Sequence, residues 1–85
     1  MSEQHYEDGF PDETYIKKLL KKFKIESSRV QFCADYGKRR AGFLWKAHSL
    51  DDKLKEWIDY AEENGVIISR VKFEGQIHSI WFRFK

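Results

Sequence analysis

The chain reads as an α+β protein, a two-layer sandwich of order αββαββ in which two helices cover one face of a four-stranded antiparallel sheet. Three features carry that expectation. Ser28-Arg29-Val30-Gln31-Phe32 (SRVQF) returns further on as Ser69-Arg70-Val71-Lys72-Phe73 (SRVKF). Each copy opens a pair of runs in which apolar and polar residues alternate, the period of a strand with one buried face. Each copy is also preceded by a stretch whose apolar residues recur at helical spacing. A short phrase repeats by chance often enough; one that keeps the helix before it and the strand after it points to a tandem αββ unit. Aligning Phe43-Leu44-Trp45-Lys46 with Ile80-Trp81-Phe82-Arg83 keeps every face in register.

The 85 residues suffice for one modest core. Residues 1–10 read as a flexible acidic tail (Glu3, Glu7, Asp8), and residues 11–85 as a single αββαββ domain. With 16% aromatics, the core is expected to rest on a few large side chains. About ten of them, at roughly 1.5–3 kcal/mol each, can offset the ordering entropy of such a chain.

Pro11, Asp12 and Glu13 form a good helix start, since proline fits the first turn and acids suit the positive end of the helix dipole. Tyr15, Ile16, Leu19, Leu20 and Phe23 then recur at helical spacing, with lysines between, which predicts a helix over 12–24. Strands follow over 29–36 (Val30, Phe32, Ala34 and Tyr36 inward) and 41–48 (Ala41, Phe43, Trp45 and Ala47 inward). Gly37-Lys38-Arg39-Arg40 joins them as a hairpin tip. Ser49 is expected to cap a second helix, with Asp52 as a weak form of the capping box. Leu50, Leu54, Trp57, Ile58 and Ala61 make its buried stripe, and Asn64-Gly65 ends it. Its outer side is acidic (Asp51, Asp52, Glu56, Asp59, Glu62, Glu63), unlike the lysine-rich first helix. A second hairpin, Val66–Phe73 and Ile77–Phe84, turns at Glu74-Gly75.

The same alternation predicts what the uncovered sheet face carries. Arg29, Gln31 and Cys33 come from the first strand, and Leu44, Lys46 and His48 from the second. Arg70 and Lys72 come from the third, and Ser79, Trp81, Arg83 and Lys85 from the fourth. Six cations are thus expected on one face with Asp35 as the sole acid, although the chain's net charge is only +2. The acids have gone to the tail and the second helix. Arg and Lys neutralise phosphates, and an exposed indole offers a base a surface to stack on. RNA-recognition modules use a helix-backed open sheet in this way, and the likeness is architectural.

The expected partner is therefore DNA or RNA. Arg29, Lys46, Arg70, Lys72 and Arg83 would take phosphates, Trp81 a base, and Lys38, Arg39 and Arg40 would form a reaching arm. Five phosphates contacted on a single strand would lower log K by roughly 3.5 per tenfold rise in salt. The acidic tail could shield this face as an internal competitor. The alternative is an inhibitor or adaptor that docks an acidic protein, or a homodimer formed through Leu44 and Trp81. A lysine- and arginine-rich face can also be merely solvated, with its stems covering the pleat.

Other chemistry finds little to stand on. One cysteine cannot form an internal disulfide, and no cysteine–histidine cluster has zinc-finger spacing. Cys33, His48 and His78 are the candidate ligands, and register puts His78 on the opposite side, so no metal and no cofactor are implied. No nucleotide-binding glycine loop, Ser/His/Asp set or small-molecule site is apparent. No secretion signal or membrane-length apolar run is present, which suggests a cytoplasmic protein in a reducing compartment. The size suits a phage, plasmid or other mobile-element regulator. The second half, with its helix, Asn64-Gly65, strand, turn and then His78, resembles HicA-type mRNA-interferase toxins. That resemblance implies His78 as a general acid or base in RNA cleavage. Gly75-Gln76-Ile77-His78 departs from the glycine-serine pair those toxins carry before their histidine, and a non-enzymatic binding protein is the preferred reading.

Overall fold

A computed structural model describes residues 11–84. The expected acidic tail (1–10) and Lys85 lie outside the described residues. Helix α1 spans Glu13–Lys22, strand β1 Val30–Asp35, β2 Arg40–Lys46, helix α2 Leu54–Glu63, β3 Val66–Glu74 and β4 Ile77–Phe84. The four strands form one antiparallel sheet of order β1-β2-β4-β3. The class and element order are those the sequence predicts. Both copies of the repeated phrase therefore sit on edge strands, and the strand that follows each lies at the centre. No described helix is long and apolar enough to cross a membrane.

Asp12 caps α1: its Oδ1 accepts from the Tyr15 backbone N–H at 2.9 Å, satisfying one of the helix's orphan donors. Asp12→Ala is expected to cost about 1 kcal/mol, read as a lower urea midpoint at unchanged slope. An unchanged midpoint would mean that the cap contributes nothing. The helix ends two residues before the predicted limit, with Phe23 as its C-cap and Lys24 left-handed at φ 60°. The residues on either side of β1 form tight 3-10 turns, Ser27–Arg29 and Tyr36–Lys38, rather than extending the strand.

The second helix starts later than the sequence suggests. Ser49 does not cap it, since its hydroxyl donates to Lys46 O at 2.8 Å. A 3-10 turn at Asp51–Lys53 comes first, and α2 begins at Leu54.

Register places Val30, Phe32, Ala34, Ala41, Phe43, Trp45, Ile80 and Phe82 beneath the helices, where Ile16, Leu19, Leu20, Trp57 and Ala61 meet them. Trp57 is the hub, meeting Phe43 and Trp45 edge-on, each at 5.1 Å between centroids. β3 changes phase partway. Val66 and Ile68 face the helices with Phe84 and Phe82, but an irregularity at Ser69 intervenes, and Arg70 and Lys72 then stand opposite Trp81 and Ser79 on the other face. Without that bulge, Arg70 and Lys72 would share the buried side with Ile68.

Candidate nucleic-acid interface

Besides the Asp35–Arg40 and Ile67–Arg83 pairs, three rows of residues can be read across the uncovered face in strand order. One runs Cys33, Gly42, Trp81, Arg70, and the next Gln31, Leu44, Ser79, Lys72. The last runs Lys46, Ile77, Glu74. The face is divided into two shallow grooves. Arg29, Gln31 and Lys46 flank one, and Arg40, Arg70, Lys72 and Trp81 the other. Leu44 and Ile77 line both, forming an apolar ridge between them.

The predicted site residues separate into three groups. Lys46, Arg70 and Arg83 project from strands, are exposed, and have no ion-pair partner among the described residues. Arg29 belongs to the turn before β1, where its guanidinium donates to Ser49 O at 3.1 Å, and it too has no described carboxylate partner. Lys72 is engaged: its ammonium lies 2.6 Å from Glu74. That contact, with the charges of Lys72 and Arg70, holds the Glu74 carboxyl below its ordinary range. Lys38 and Arg39 are exposed at the hairpin tip, Arg39 in the left-handed region at φ 55°.

Arg40 is not part of a reaching arm. It is the first residue of β2 and only 9% exposed. Its guanidinium sits 4.8 Å from the centre of the Trp81 ring, 3.8 Å from Asp35 and 3.4 Å from Ser69 Oγ. A cation with a planar fork is suited to stack on an indole while its nitrogens bond sideways. Arg40 thereby fixes the orientation of Trp81, which stays partly exposed. The expectation of Asp35 as the sole acid on the face also fails, because the Glu74–Ile77 pairing carries Glu74 there. The two-residue turn at Gly75-Gln76 was the available signal, since residues flanking such a turn pair and fix their own parity.

Cys33 lies on this face, half-buried. Burial first, only partly opposed by a backbone hydrogen bond at Gly42 and the charge of Arg40, pushes its thiol up to about 11. It stays protonated at neutral pH and is a poor nucleophile.

The histidines sit elsewhere. His48, expected on the open face, lies in the loop after β2 at φ 72°, and its ring is 5.9 Å from that of His78 on the helix side of the sheet. Between them stands Asp51. Its Oδ1 accepts from Trp45 Nε1 at 2.6 Å and from His78 Nδ1 at 2.9 Å, while His48 Nδ1 lies 3.6 Å from Oδ2. An ionised carboxylate only accepts, so Nδ1 of His78 carries the proton. The Trp45 hydrogen bond first, then the bond and charge of His78, lower the Asp51 carboxyl below its ordinary value. His78 is 7% exposed and walled by Phe73 and Trp45. Among the described residues no group of three His, Cys, Asp or Glu side chains is placed to hold a metal ion.

No family model matches the chain, and no curated protein or solved structure matches it significantly.

Proposed function

We propose that the open sheet face binds single-stranded DNA or RNA. What supports the reading is one arrangement: a partly exposed Trp81 held by Arg40 at the centre of a face around which Arg29, Lys46, Arg70 and Arg83 have no described carboxylate partner. A base stacks on the free side of the indole, and the backbone runs past the surrounding cations. A single strand suits this better than a duplex, because stacking on Trp81 requires an unpaired base.

The protein carries its own reporter. Trp45 and Trp57 are 2% and 0% exposed, so quenching of intrinsic fluorescence on adding an oligonucleotide reads Trp81. Oligothymidylate and an unstructured RNA are expected to quench it. With four phosphates neutralised, log K should fall by about 3 per tenfold rise in salt. Trp81→Ala should weaken binding, measured by anisotropy, by the roughly 1–3 kcal/mol that stacking of one base contributes. Arg70→Glu should flatten the salt slope as well. Equal affinity of both variants and the parent would overturn the reading.

A second reading keeps one observation of its own. Ile77 is 51% and Ile67 40% exposed, and both share the face with Leu44 and Trp81. Apolar residues ringed by cations also suit an acidic protein partner or a second copy of the chain. Failure to bind any oligonucleotide at low salt, with self-association lost in Ile77→Lys, would favour it.

A further inference from the structure

The helix layer carries a feature that the nucleic-acid reading does not use. In α2, Glu56, Asp59, Glu62 and Glu63 are exposed, and no basic residue occupies the last turn. The C-terminal end of a helix dipole is negative and disfavours anions, so Glu62 and Glu63 in the last turn stand where local electrostatics opposes them, whereas Glu56 lies in the first turn. By contrast, α1 ends on Lys21 and Lys22, as the dipole favours. A local rule broken at an exposed position is expected at a functional site.

Glu56, Asp59 and Glu63 follow one another along a single stripe of α2 and rim a groove against the end of α1. Its floor is aromatic: Phe23 and Tyr60 meet edge-to-face at 5.6 Å. Asp59 is bonded to Lys55 at 3.1 Å, whereas Glu56 and Glu63 have no ion-pair partner among the described residues. More than a group of acids is present, because the groove already seats a cation. Lys22 Nζ stands 5.7 Å from the centroid of the Tyr60 ring, with no described carboxylate bonded to it. An ammonium over an aromatic face with free carboxylates beside it is the chemistry that recognises lysine and arginine side chains.

We propose that this groove docks a lysine- or arginine-bearing segment of a basic protein partner, and that Lys22 occupies its aromatic floor until the partner displaces it. The incoming cation takes the face of Tyr60 and bonds Glu56 and Glu63, neutralising the end of α2. The site lies on the layer opposite the open sheet face and does not depend on what that face binds.

The test is a titration of polylysine peptide into the full-length, nitrogen-15-labelled protein, with the fully acetylated peptide as the neutral control. Shifts are expected to concentrate at residues 22–23 and 56–64 and to be absent with the acetylated peptide. The double variant Glu56→Gln, Glu63→Gln should bind about tenfold more weakly, having lost two charge-assisted contacts. Neutralising as much charge elsewhere, with Glu26→Gln and Asp52→Asn, should change affinity by less than about twofold. Lys22→Ala should bind about threefold more tightly, because the resident cation no longer competes for the ring. The proposal is overturned by equal losses in the two double variants, by a Lys22→Ala protein that binds no more tightly, or by shifts lying elsewhere. Concentration-dependent shifts at the same residues without peptide would overturn the partner assignment and make a second copy the occupant.

Discussion

Gly42→Ala is expected to destabilise the protein by about 3 kcal/mol or more, at the upper end of overpacking costs. A β-carbon added at Gly42 would lie 1.8 Å from the carbonyl oxygen of Ile80, 2.8 Å from its carbon and 2.9 Å from the Trp81 Cα. All three atoms are backbone of β4, so no side chain can rotate out of the way. β2 is a central strand, bonded to β1 on one side and β4 on the other, and moving it disturbs both pairings. The requirement is one of space, since the clash does not depend on a left-handed backbone at this glycine. In an 85-residue chain whose total stability is of order 5–15 kcal/mol, the loss is a large fraction.

The measurement is a thermal melt followed by circular dichroism. At about 4–8 °C per kcal/mol for a domain of this size, the midpoint should fall by more than about 12 °C. Gly37→Ala is the control: a β-carbon there meets only Asp35 Oδ1 at 3.5 Å, an ordinary contact, and a change within about 0.5 kcal/mol is expected. If the two alanine variants melt together, the close approach of β4 to β2 is not as described. The Gly42 variant also tests the face itself, because Gly42 stands opposite Trp81. Separating the central strands there would displace the indole from Arg40, and oligonucleotide affinity should fall with stability.

Periodicity made most of this fold legible, and its failures have local causes. Strand and helix periods differ enough that the αββαββ order could be read directly, and alternation placed Lys46, Arg70, Trp81 and Arg83 on one face, where register puts them. Val66-Ile67-Ile68 is continuously apolar and carries no phase, so the bulge that brings Arg70 outward could not be located at Ser69. Gly37-Lys38-Arg39-Arg40 reads as a hairpin tip because it joins two alternating runs, which places Arg40 in solvent. Its burial depends on three partners, Asp35, Ser69 and Trp81, the last two from the other hairpin. Ser49 reads as a cap because serine suits that position and Asp52 follows three residues on. A serine can bond a preceding carbonyl as readily as a following N–H, and the nearby Lys46 carbonyl took it. Nothing in the spacing of Trp45, His48, Asp51 and His78 announced their cluster, since it joins the β2–α2 connection to β4 and exists only once the sheet order is set.

Asp51→Ala should be damaging although Asp51 lies outside the packed core. Removing the carboxylate leaves the indole N–H of Trp45, 2% exposed, without its acceptor at 2.6 Å, and a buried donor so orphaned costs about 1–3 kcal/mol. His78, 7% exposed, loses its bond in the same step. The charge should also register as pH dependence. The folded carboxyl is held below the ordinary aspartate value of 3.8 by Trp45 first and then by His78. A depressed folded value means that the ionised form contributes fully above 3.8 and that its contribution drains away as pH falls through the lower folded value. The stability gap between the parent and Asp51→Asn should therefore narrow on acidification below that range. Glu74, lowered by its bond to Lys72, loses its contribution in acid as well, so both proteins should carry Glu74→Gln to isolate Asp51. A direct reading is available in the nitrogen–proton spectrum. The Trp45 indole resonance should lie downfield of that of Trp57, whose buried Nε1 has no hydrogen-bond partner among the described residues, and should move upfield on acidification. Its midpoint should fall below 3.8; a midpoint at or above that value would mean that the carboxylate is not held by the indole and the imidazole.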